Sequence, residues 1–106
     1  MNLASDPQAV PGAFAADGDR WRFAGTLTFD DATAVLAAAQ ALPLPPSGRI
    51  DMSGLEHADS AGLAVLLALK RRAAAERRTL AFEGMPPVLA SLARVYGIED
   101  IVAPAG

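Results

Sequence analysis

Cysteine is missing from this 106-residue chain, which excludes disulfides, thiol catalysis and thiolate metal sites and agrees with a reducing compartment. Histidine occurs once, and one imidazole among scattered carboxylates offers no ligand cluster for a transition metal. Neither Gly-x-x-x-x-Gly-Lys nor Gly-x-Gly-x-x-Gly is present, so no glycine-rich loop is available to cradle a phosphate. Basic charge is scarce: a net charge of -3 and a pI near 4.9 argue against a nucleic-acid binder, whose affinity comes mainly from neutralising phosphates. Met1 to Val10 holds no Lys or Arg and so lacks the basic region of a secretion signal. The longest apolar run, Ala61 to Leu69, is about half of what a membrane span requires. The expectation is one soluble, cytoplasmic domain that buries about two thirds of its unfolded surface.

Residues 1–12, with Pro7 and Pro11 and no usable period, read as a flexible lead before one domain over 13–106. Asp17-Gly18-Asp19 is a turn signal between a short strand, Ala13 to Ala16, and the alternating run Trp21, Phe23, Gly25, Leu27, Phe29, which together predict a hairpin. Asp30 or Asp31 is placed to cap a helix bearing Ala32, Val35, Leu36, Ala39 and Leu42, which Pro43, Pro45 and Pro46 terminate. A strand from Arg49 to Met52, a helix from Ser60 to about Glu76 and a strand from Thr79 to Phe82 follow. Pro86-Pro87 opens a last helix carrying Val88, Leu89, Leu92, Ala93 and Tyr96, with Gly97 suited to its left-handed end. Ile98, Ile101 and Val102 are expected to fold back as a tail. Strand-helix-strand units require parallel pairing, so the fold class is α/β: a mixed, mostly parallel sheet of about four strands with covering helices and an opening hairpin.

On the helix that starts at Ser60, a 100° period gathers Gly62, Val65, Leu66, Leu69 and Ala73 on one side, the predicted core stripe. Ser60, Leu63, Ala64, Leu67, Arg71 and Ala74 fall on the other. Unless a neighbouring helix covers Leu63 and Leu67, that side is an apolar patch with a charged border, as a protein interface requires. Lys70, Arg71, Arg72, Arg77 and Arg78 are read as lying within this one helix and predict a local positive surface. It reads either as a solvated face complementing the helix dipole or as a contact for an acidic partner or membrane headgroups.

The stretch Ile50-Asp51-Met52-Ser53-Gly54-Leu55-Glu56-His57-Ala58-Asp59-Ser60-Ala61-Gly62-Leu63 runs from a strand through a loop into that helix. Asp59 or Ser60 can accept hydrogen bonds from the unpaired amides of the first turn, so Ser60 is either a cap or an accessible hydroxyl. A Ser60-His57 hydrolase needs a carboxylate behind the imidazole, and the first glycine of a Gly-x-Ser-x-Gly elbow is absent. Asp51, Glu56 and Asp59 could be read as a divalent-cation site, but Asp59 is better explained as a cap and Asp51 as a strand end.

Asp-Ser-Ala-Gly-Leu after Asp-Met-Ser-Gly resembles the signature loop of STAS domains, the fold of anti-sigma factor antagonists. Trp21 to Phe29 and Leu89 to Ile98 extend the resemblance to the MlaB-type STAS subunit of bacterial phospholipid ABC transporters, over roughly residues 13 to 103. The resemblance implies a non-enzymatic interaction domain without a cofactor of its own, bound to the transporter's ATPase at the cytoplasmic face of the inner membrane. ATP would belong to that partner, whose transporter maintains outer-membrane lipid asymmetry. Ser60, Leu63, Ala64, Leu67 and Arg71 would contact it, with Asp59 and Gly62 shaping the loop and the start of the helix. The alternative is an anti-sigma factor antagonist that meets a kinase partner and is phosphorylated at Ser60. A phosphate there adds about 1.5 to 2 negative charges, costly inside an apolar interface. Serine at position 60, where the transporter branch often has threonine, keeps that modification in play.

Overall fold

A computed structural model describes residues 12–98. The elements run β1 (Ala13–Asp17), β2 (Arg20–Leu27), α1 (Phe29–Gln40), β3 (Arg49–Ala58), α2 (Ser60–Ala75), β4 (Ala81–Glu83) and α3 (Pro87–Val95). The sheet order is β1-β2-β3-β4, antiparallel between β1 and β2 and parallel thereafter, as the α/β expectation required. The hairpin closes through Gly18-Asp19, with Gly18 at φ +65°, the left-handed conformation glycine adopts without a Cβ clash.

Alternation sends Trp21, Ile50 and Phe82 from three neighbouring strands to one face, where they join a core with Phe14, Phe23 and Leu27. Gly62, Val65, Leu66, Leu69 and Ala73 of α2 are all buried, so the stripe read from helical period is the one that packs. Val35 and Ala39 of α1 and Leu89 and Ala93 of α3 close the core. Arg22, Asp51 and Glu83 share the opposite, polar face, where Glu83 lies within 3.5 Å of Arg49 and 4.0 Å of Arg20, and Arg22 within 3.4 Å of Asp17.

Several boundaries differ from the sequence reading. β3 does not stop at Met52: the pairing with β2 shifts register twice, and these irregularities carry the strand through Ser53-Gly54 to Ala58. A Cβ on Gly54 would meet the Phe23 carbonyl oxygen at 2.5 Å, so the strand can pass β2 there only without a side chain. β2 ends at Leu27, and Phe29 is the first residue of α1 instead of the last inward position of the strand. Thr28, not Asp30 or Asp31, holds the N-cap position, and the Asp31 carboxylate accepts from the hydroxyls of Thr26 (2.5 Å) and Thr28 (3.2 Å). β4 starts at Ala81, two residues later than expected. Val88 and Tyr96 face outward instead of packing with Leu89 and Ala93, and Tyr96 lies just past the end of α3. Gly97 does take the left-handed conformation, at φ +70°. Ile98 is half-buried against the core; Ile101, Val102 and all of the lead except Gly12 lie outside the described residues.

The five cations do not share one helix, because α2 ends at Ala75 ahead of Arg77 and Arg78, and the cluster is largely not a positive surface. Arg72 donates to the carbonyls of Ala39 (3.2 Å) and Leu42 (2.7 Å) and pairs with Glu76 at 2.9 Å. Arg78 donates to the carbonyls of Leu44, Pro45 and Pro46. Lys70 donates to the Leu80 carbonyl at 2.6 Å and sits 5.7 Å from the centre of the Phe82 ring, where burial lowers its pKa. Prolines in the α1–β3 crossover supply carbonyls but no N–H groups, so Arg72 and Arg78 serve as donors to it. Only Arg71 and Arg77 of the five remain exposed.

Candidate functional site

Ser60 stands at the N-terminus of α2, where β3 delivers the chain to the edge of the helical layer. Asp59 is the N-cap: its backbone is extended, and its Oδ1 accepts from the Ala61 amide at 2.9 Å. Its Oδ2 accepts at 2.9 Å from the Phe29 amide at the start of α1. The choice the sequence left between Asp59 and Ser60 is thereby resolved. Ser60 is exposed, and its hydroxyl has no hydrogen-bond partner among the described residues.

Gly62 permits the first turn of α2 to press on the end of β2. A Cβ there would lie 2.7 Å from the Leu27 carbonyl oxygen and 3.3 Å from the Leu27 side chain. Together Asp59 and Gly62 fix how far α2 stands above the sheet and which of its residues look outward.

Two apolar cavities flank this end of α2. One, of about 330 Å³, is lined by Ser60, Leu63, Ala64, Leu67, Tyr96 and Ile98. The other, of about 470 Å³, lies between α1 and α2 and includes Phe29, Asp30, Leu36, Ala61, Ala64 and Val65 in its lining. Ala64 borders both, so it is the low ridge between two hollows. Phe29, 79% exposed, and Tyr96, 57% exposed, stand on opposite outer rims.

Of the residues assigned to partner contact, Ser60, Ala64 and Arg71 are exposed and Leu67 is half-buried. Leu63 corrects the outward side read from the helical period: at 2% exposure it belongs to the core and reaches only the lining of the first cavity, which Tyr96 and Ile98, at and beyond the end of α3, also line. Arg71 lies outside both cavity linings, a turn beyond Leu67. Phe29 and Tyr96 escaped the sequence reading because both were counted as inward apolar residues. The signal that could have moved Phe29 is Thr28 followed by two aspartates, a helix start that cuts the strand alternation short.

His57 and Ser60 share no hydrogen bond; His57 lies on β3, in register with Thr26, and is exposed. The carboxylates do not converge either, and no group able to hold a metal ion occurs among the described residues. Asp51 instead accepts from the Ser53 amide at 2.9 Å, steadying the backbone beside Gly54. That bond, the Ser53 hydroxyl and the nearby Arg20 and Arg22 hold its pKa below the usual carboxylate value. No described helix is long and apolar enough to cross a membrane.

No curated protein matches the chain. The family described as "MlaB, STAS domain" matches it over residues 13–103, nearly its full length. With the mixed four-stranded sheet, its covering helices and a strand that delivers a serine to a helix start, the match shows that this chain belongs to the MlaB-type STAS domain family.

Proposed function

We propose that the chain is a non-enzymatic interaction subunit that binds and regulates the cytoplasmic ATPase of an Mla-type phospholipid ABC transporter, and so serves outer-membrane lipid asymmetry. It would sit at the cytoplasmic face of the inner membrane through that partner. The observation that carries the reading is the free Ser60 hydroxyl in the lining of the first apolar cavity, beside the Ala64 ridge that the second cavity shares, with the capping done by Asp59. A serine kept for the helix start alone would be expected to bond an amide, and exposed Phe29 and Tyr96 are suited to act as aromatic anchors. Ser60, Ala64 and Leu67 make the central contact, Leu63 supports it from beneath, and Arg71 borders it.

The same accessible hydroxyl favours a second reading, a partner-switching regulator of the anti-sigma factor antagonist kind, phosphorylated at Ser60. Affinity capture of the tagged protein from its native cell separates the two. Recovery of an ABC ATPase, lost in Leu67→Asp, supports the transporter reading; recovery of an anti-sigma kinase refutes it in favour of the second.

A further inference from the structure

Two helix N-termini meet at one carboxylate. The Asp59 oxygens accept separately from Ala61 in the first turn of α2 and from Phe29, thirty positions away, at the start of α1. Thr28 occupies the N-cap position of α1 without making a side-chain cap bond, and its hydroxyl is turned to Asp31. The side-chain cap of α1 is thus supplied by Asp59 across the helix pair. Capping either helix by itself would be served by any small acceptor. What a carboxylate adds is a second acceptor oxygen, and with it a fixed spacing between the two helix starts.

That spacing matters because the cavity between α1 and α2 has Phe29 on one wall and Ala61 and Ala64 on the other. We propose that Asp59 is a positioning residue of the docking face: its second oxygen holds the start of α1 so that Phe29 and the Ser60–Ala64 ridge form one continuous surface. The proposal rests on the docking reading above and extends it to α1. It makes Phe29 a contact residue and assigns Asp59 an effect on binding that capping α2 does not require. Asn and Ser both cap helices well, yet each offers one acceptor oxygen and cannot hold the two separate acceptor positions that the Asp59 carboxylate fills.

Two measurements on the full chain test it. In amide NMR spectra of the free protein, Asp59→Asn and Asp59→Ser should shift the first-turn signals of both α1 and α2; shifts confined to α2 would overturn the link that Asp59 makes between the two helix starts. In titrations against the purified transporter ATPase, Phe29→Ala and Asp59→Asn should each weaken binding about tenfold, with the double variant no weaker than either alone, as coupled residues behave. Additive losses, or an unchanged affinity in a folded Asp59→Asn protein, would overturn the positioning role while leaving the docking reading standing. If the wild-type protein fails to bind the ATPase, the docking reading and the role of Asp59 within it both fall, and the NMR result still decides whether the two helices are linked.

Discussion

Arg77 adopts φ +58°, alone among the described residues other than glycine in having a positive φ. It follows the end of α2, where the Arg77 amide donates to the Ala74 carbonyl and the Arg78 amide to that of Ala73, and this reversal demands a left-handed residue. An L side chain there costs about 1 kcal/mol. Arg77→Gly is therefore expected to stabilise the protein by about 0.5 kcal/mol after the added unfolded-state entropy, read as a rise of a few degrees in thermal midpoint. An unchanged or lower midpoint would show that the arginine is not strained. Asp51 yields a pH prediction. Its folded pKa lies below the ordinary 3.8, so its contribution to stability is present in full above that value and is lost as pH falls through the folded one. Asp51→Asn should lower the urea midpoint at neutral pH, and the gap from wild type should close on acidification below about pH 4. A gap that persists in acid would contradict the assignment.

At the scale of elements, α2 carries the sharpest test. Leu66 is fully buried, Leu63 is 2% exposed and Leu67 is half-buried at the cavity wall. Leu66→Asp and Leu63→Asp should each unfold the domain by placing a charge in its core, whereas Leu67→Asp should leave a cooperative thermal transition and abolish partner binding. Equal thermal destabilisation by all three would refute this division of faces. The core stripe of α2 was legible in the sequence because helical period alone determines which residues share a side. Leu63 was not, since period says nothing of what lies over the other side, where the distant turn at Tyr96 and Ile98 shares a cavity with it. The full length of β3 was hidden for a related reason: Ser53-Gly54 has the composition of a turn, and only the approach of β2 makes it part of a strand. Read as one helix, the cations in and just after α2 look solvated, but the carbonyls that three of them bond lie elsewhere in the chain. The role of Ser60 as a free group was half legible, with Asp59 and Ser60 equally able to cap until the backbone placed Asp59 first.

For the molecule as a whole, one core joins all four strands and all three helices. Its only tryptophan, Trp21, is buried with its ring centre 5.6 Å from that of Phe14. Unfolding in urea should therefore give a single transition in which tryptophan fluorescence, reporting on the sheet, coincides with far-UV circular dichroism, dominated by the helices. Separated midpoints would mean that the hairpin and the helical layer melt independently.

The contacts of α2 bear on how a partner would meet it. Asp59 ties its first turn to α1, while Arg72 and Arg78 stitch its far end to the proline-bearing crossover. A rod pinned at both ends can neither slide nor roll without rupturing those bonds, so the outward face is preorganised. A partner docking there as proposed would find little ordering entropy left to lose on encounter.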